Sequence, residues 1–312
     1  MSAEIRSTAS SPEAPAGRAG GARWEPARDG ELGERTPIER VERHWFHSAE
    51  RTEPEVREVV VYLPPQYAQH TDRRFPVFYL QDGQNLVDPT TSYVPGQTWR
   101  AHETADRLAL AGESEPVILV GVANGGARRM AEYTPGRDLR MGGGEGRSYG
   151  RMLIEELKPL VDAQYRTLPG PQDTALGGSS LGALISLFLG LERPDVFGNI
   201  AVMSPSVWWD QRSILARLSR AVPRPPLRIW LDIGTEEGAP QVRDVGMLYR
   251  QLVRQGWCDG VDLEYFLAEG AQHTEDAWAA RFDRVLRFLF PAGRPREGNS
   301  QGRHAPGPGL VR

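Results

Sequence analysis

Short apolar runs alternate along this chain with longer segments of helical period, and that alternation constrains the fold more than any other feature. Residues 75–81 (FPVFYLQ), 117–123 (VILVGVA), 174–178, 199–203 and 227–233 (LRIWLDI) are apolar runs of strand length. Continuous runs of this kind fit strands buried on both faces, as in a parallel sheet. Residues 56–63 alternate instead and stop at Pro64 and Pro65, which predicts a strand near a sheet edge. Helical patterns cover 99–111, 149–164, 181–191, 211–219, 241–255 and 275–290. In the second of these, Met152, Leu153, Leu157, Leu160 and Val161 recur at helical spacing. Strand followed by helix, repeated, predicts an α/β domain with a mainly parallel central sheet and helices on both faces. Right-handed crossovers then bring the strand C-terminal ends, and any site, to one edge.

The two ends break the pattern. Residues 1–36 and 291–312 are rich in small residues, proline and charge, with Trp24 the lone aromatic of the first stretch. Neither end offers enough apolar surface to offset its ordering entropy. The expectation is a disordered extension over 1–36, one domain over 37–290 and a disordered tail over 291–312. The chain's 34 glycines and 25 prolines exclude a coiled coil or a simple helical bundle. A net charge of −4 gives no electrostatic case for nucleic acid or an anionic membrane. Cys258 is the lone cysteine, which excludes an intramolecular disulfide and any multi-cysteine metal site. No apolar run approaches the roughly 20 residues that span a bilayer. Residues 1–36 lack the apolar stretch of a signal peptide, so a cytoplasmic location is expected.

The most informative stretch is Gly178-Ser179-Ser180-Leu181-Gly182, a G-x-S-x-G motif between a strand pattern and a helix pattern. A nucleophilic serine needs a strained strand-to-helix turn that lifts its oxygen clear of the backbone, and small residues on either side let that turn close. The following helix aims its N-terminal dipole at the oxyanion. By this register Ser180, not Ser179, is the candidate nucleophile. The base should come later in the chain, after a strand. His273 stands in Glu269-Gly270-Ala271-Gln272-His273, behind the apolar run 263–267 and ahead of the last helix, whereas His304 sits in the tail.

The orienting acid should follow the run 227–233. Asp232 falls inside that run, and Glu236 and Glu237 fall in the loop beyond it. Spacing does not choose among the three. The oxyanion hole should combine the N–H of Leu181 with one from the loop after an early strand. Asp82-Gly83-Gln84-Asn85 has that position, with Gly83 permitting the turn and the Gln84 N–H the second donor.

These stretches together resemble the esterase branch of the α/β-hydrolases, which includes enterochelin esterases, feruloyl esterases and S-formylglutathione hydrolases. The resemblance runs from about residue 56 to residue 290. It is carried by VVVYLPPQY (59–67), FPVFYLQDGQNL (75–86), VILVGVANGGARRMAEYTP (117–135), ALGGSSLGAL (175–184), VMSPSVWW (202–209), LDIGTEE (231–237) and EGAQH (269–273). It implies an α/β-hydrolase fold, Ser180 as nucleophile, His273 as base and Glu237 as acid. It also implies a small-molecule ester as substrate and neither metal nor organic cofactor.

Several residues near strand ends are candidate substrate contacts: Asp82, Arg129, Glu132, Trp208 and Trp209. For Arg129 and Glu132 a structural ion pair is the competing expectation. His44 and His47 form H-x-x-H without the helix or glutamate of a zinc protease, and half-buried or solvated histidines are expected. The glycine run 142–146 lacks the Lys-Ser/Thr of a P-loop and is expected to be a flexible loop beside the cleft. Ester hydrolysis through an acyl-enzyme is the leading reading. An acyltransferase on the same triad and a catalytically silent binding protein of the same fold are the alternatives.

Overall fold

A computed structural model describes residues 17–19, 21–28, 31, 37–49 and 56–294. Its strands are β1 (Gly17–Ala19), β2 (Ala22–Pro26), β3 (Val41–His47), β4 (Val56–Tyr62), β5 (Val77–Gln81), β6 (Ile118–Val122), β7 (Thr174–Ser179), β8 (Asn199–Met203), β9 (Arg228–Gly234) and β10 (Leu263–Ala268). They form one sheet in the order β1-β2-β3-β4-β6-β5-β7-β8-β9-β10. From β6 to β10 every neighbouring pair is parallel, while β1 to β4 and the β4–β6 pair are antiparallel.

Each apolar run of the sequence becomes a strand of the parallel half, and its side chains divide between the two faces. Val77, Tyr79, Ile118, Val120, Leu176, Ile200 and Leu231 face one core. Phe78, Leu80, Leu119, Ala175, Ala201, Met203 and Trp230 face the other. That is the period of two that strand geometry imposes. Helices α1 (Ala101–Ala111) and α6 (Glu275–Leu289) cover the second face. The first is covered by α2 (residues 146–164, with a π-helical stretch at Met152–Leu157), α3 (Leu181–Glu192), α4 (Trp209–Arg220) and α5 (Ala239–Arg254).

Two expectations are corrected on the antiparallel side. Residues 56–62 are an interior strand rather than an edge, because β3 and β2 continue the sheet beyond them. The N-terminal segment is also not all outside the domain. The Trp24 ring of β2 is fully buried, stacks on His44 at 4.2 Å, and donates from Nε1 to Gln164 Oε1 at 2.9 Å. One aromatic with a hydrogen-bond partner supplies the burial that the composition of the stretch as a whole does not suggest. Residues 1–16, 20, 29, 30, 32–36 and 295–312 lie outside the described residues. Truncating a buried aromatic typically costs about 3–5 kcal/mol. Trp24→Ala is accordingly expected to lower the unfolding free energy by about that amount in a urea titration. An unchanged midpoint would show that β2 contributes nothing to the domain's stability.

His44 is buried, with Nε2 2.8 Å from the Tyr165 hydroxyl, and half-buried His47 pairs with Glu25. Both therefore have protein partners; His47 is half-buried as expected, whereas His44 is buried more deeply than the sequence suggested. The glycine run packs closely at its centre: a Cβ on Gly143 would stand 2.4 Å from Thr134 Oγ1 and 2.8 Å from the Trp209 ring. Among the described residues no helix is long and apolar enough to cross a membrane.

Candidate active site

The C-terminal ends of β5 to β10 lie along one edge, and the loops leaving them carry the candidate residues. Ser180 joins β7 to α3 with φ 58° and ψ −122°, a conformation that strains any residue with a side chain. Gly178 and Gly182 let the turn close, because a Cβ on either would stand 2.8 or 2.9 Å from the Gln81 Cβ. The turn is tied to the loop after β8: Ser180 N–H donates to Met203 O at 3.0 Å and Ser206 N–H donates to Ser180 O at 3.1 Å. The Ser180 hydroxyl lies 3.3 Å from that of Ser206.

On the next two loops the structure brings His273 and Glu237 together, with His273 Nδ1 2.6 Å from Glu237 Oε2. A carboxylate only accepts, so Nδ1 carries the proton and Nε2 is the basic nitrogen. The Trp278 ring packs edge-on against the imidazole at 4.8 Å. Glu237 Oε1 accepts from the Gly234 N–H at 2.8 Å and the Ser204 hydroxyl at 2.6 Å. Burial would raise the Glu237 pKa, but hydrogen bonds from His273, Ser204 and Gly234 outweigh it and hold the carboxyl below its ordinary value. Ser180 Oγ and His273 make no direct hydrogen bond among the described residues.

The other two carboxylates have different partners. Asp232 is fully buried, accepting from Arg281 Nη2 at 3.0 Å, the Trp230 indole at 2.6 Å and the Ser204 N–H at 3.1 Å. Burial raises its pKa, against the pull of Arg281. Glu236 is exposed and meets Gln272.

Asp82, rather than Gly83, takes the left-handed turn after β5, with φ 56°. Gly83 is required for close approach instead, since a Cβ there would stand 2.4 Å from the Gly121 backbone of β6. Neither the Gln84 N–H nor the Leu181 N–H has a protein acceptor among the described residues. Asp82 is clamped by Arg129, whose Nε and Nη2 donate at 2.7 and 2.8 Å, and by the Asn124 amide at 2.6 Å.

Two candidate substrate contacts are corrected. Glu132 is buried and holds a two-point pair with buried Arg57 at 2.7 and 3.1 Å, so its carboxylate serves the interior. Trp209 is buried with its indole N–H on Gly136 O, whereas its neighbour Trp208 is 41% exposed. The sequence reading also missed Ser204, Ser206 and Arg281. A signal for Arg281 was present: at helical spacing it shares the apolar stripe of Trp278, Phe282 and Val285, where an unpaired charge would be costly.

The family model described as "Putative esterase" matches residues 51–289. The chain belongs to that family. It is 26% identical over 251 residues to the uncharacterised protein YbbA of Bacillus subtilis, covering 76% of this chain and 94% of YbbA. It is 27% identical over 246 residues to the ferri-bacillibactin esterase BesA of the same organism, covering 70% of this chain and 80% of BesA. The crystal structure of the BES protein from Bacillus cereus superposes with a TM-score of 0.68 at 21% identity, covering 82% of this chain and 97% of that one. The fold is that of the α/β-hydrolases, and the protein is a carboxylic ester hydrolase.

Proposed function

We propose that this esterase cleaves small-molecule carboxylic esters through an acyl-enzyme on Ser180, with His273 as general base and acid and Glu237 as its orienting carboxylate. The observation that carries this reading is the 2.6 Å pair of His273 and Glu237, on the same strand edge that presents the strained Ser180 turn. Ser180 Oγ attacks the ester carbonyl carbon and its proton passes to His273 Nε2, through a hydrogen bond that forms when substrate fills the site. The oxyanion accepts from the Gln84 and Leu181 N–H groups. Collapse expels the alcohol, which takes the proton from His273, and water repeats the sequence to release the acid. Glu237 fixes the tautomer and stabilises the imidazolium. Asp82 and Arg129 shape the wall beside the oxyanion loop, and exposed Trp208 offers an aromatic face to the substrate.

BesA's name and the family resemblance direct the substrate search to siderophore and feruloyl esters. The test is turnover of p-nitrophenyl acetate with and without an alcohol acceptor, followed by a panel of acyl, feruloyl and ferric siderophore esters. Hydrolysis without acceptor is expected. Transfer to the alcohol as the dominant outcome would favour an acyltransferase, and no turnover in any series would favour a silent binding protein.

A further inference from the structure

Glu275 is a buried carboxylate that the mechanism above does not use. It is the first residue of α6, two positions after His273, and only 5% exposed. Its two oxygens reach different segments: Oε1 accepts from Asn85 Nδ2 at 2.9 Å and Oε2 accepts from Trp99 Nε1 at 2.5 Å. Both donors are neutral, so no cation shares a hydrogen bond with the buried carboxylate, an expensive way to join two loops. Burial, with a contribution from the Asp82 charge, pushes the Glu275 pKa up to about 7, against the Trp99 hydrogen bond and the charges of Arg129 and His273.

Asn85 is the hub of the loop after β5. Its backbone O accepts from Trp99 N and Thr98 Oγ1 at 2.9 and 2.7 Å. Its side-chain Oδ1 accepts from Tyr93 N at 2.9 Å and lies 3.4 Å from Ser92 Oγ. Its own N–H closes the turn onto Asp82 O at 2.9 Å. The residue just before it, Gln84, carries the proposed second oxyanion donor.

We propose that Glu275 is a positioning residue that clamps the Gln84–Asn85 turn to the start of α6, so that the oxyanion donor and His273 keep one fixed geometry. The inference rests on the esterase reading above. It explains why the link is a carboxylate: in this geometry each donor meets its own oxygen, the Asn85 amide on Oε1 and the Trp99 indole on Oε2. A neutral amide in its place accepts one of them and opposes the other donor.

The test exchanges the polarity of the clamp. Glu275→Gln alone should lower kcat on a p-nitrophenyl ester by about 10–100-fold, the scale of a small misplacement of catalytic groups, while KM changes little. Trp99→Phe, which keeps the ring and removes one donor, should move kcat in the same direction. Combining Glu275→Gln with Asn85→Asp restores every pairing. The amide oxygen accepts from Trp99, the amide nitrogen donates to one new carboxylate oxygen, and the other accepts from Tyr93 N and Ser92. This double variant should recover most of the lost kcat, and the affinity of a boronic acid, a tetrahedral mimic, should fall and recover in step. A double variant as impaired as the single one overturns the clamp. So does an active parent whose Glu275→Gln and Trp99→Phe variants keep full kcat, or lose only KM. An inactive parent overturns both the clamp and the esterase reading, which separates the two failures.

Discussion

Ser180→Ala is expected to lower kcat for ester hydrolysis by about 10⁵–10⁶, the loss measured when the nucleophile of a serine hydrolase triad is removed. Ser206, whose hydroxyl lies 3.3 Å away, is not expected to substitute as the nucleophile, since it sits on a different turn and is itself buried. The backbone geometry should survive. Alanine meets the same constraint at φ 58° as serine does, and among the described residues the Ser180 hydroxyl makes one hydrogen bond, a long one to Ser206. Stability is therefore expected to stay close to that of the parent, which distinguishes loss of chemistry from loss of fold. A fluorophosphonate probe should label Ser180 in the parent and nothing in the variant. Labelling at Ser179, a buried residue of β7, would show the motif to be read in the wrong register.

The parallel half of the sheet was legible in the sequence because burial on both faces leaves a continuous apolar run with nothing to disguise it. The antiparallel half was not. In β3 (VERHWFH) polar residues are interleaved with apolar ones, and one of them, His44, is buried against Tyr165 and Trp24, so composition reads the strand as surface. The edge assigned to residues 56–63 failed for the same reason: the strands that cover it were hidden. At the site, the G-x-S-x-G turn was readable because a strained turn demands specific small residues. Glu132 was not, since a carboxylate beyond a strand end looks the same in sequence whether it faces substrate or an arginine such as Arg57. Trp208 and Trp209 show a similar ambiguity, resolved only when the turn directs one indole inward to Gly136 O.

Glu237→Gln is expected to lower kcat by up to about 10⁴, with a modest change in KM, while Glu236→Gln should cost little. Glu237 spends both oxygens on the site: one on His273 and the other on Ser204 and Gly234. Its surroundings stiffen that arrangement, because Ser204 also accepts from Trp278 Nε1 at 3.0 Å and Arg281 Nη2 at 2.7 Å, and Arg281 is anchored on Asp232. An amide at position 237 keeps the shape but presents a neutral group to the imidazole. It then neither stabilises the imidazolium nor enforces the tautomer with its proton on Nδ1. Glu236 is exposed and its carboxylate meets the Gln272 amide, so its charge is screened. Asp232→Asn tests the remaining carboxylate by a different readout. It should remove the nearer of the two carboxylates paired with buried Arg281, leaving Glu237 Oε1 at 3.5 Å, and cost up to about 3–5 kcal/mol of stability, the usual penalty for breaking a buried pair. Measuring kcat and urea midpoints for all three variants separates the roles. If Glu236→Gln is the crippled enzyme, the His273 contact with Glu237 is not the catalytic one. If Asp232→Asn loses kcat at full stability, the acid acts from inside the sheet.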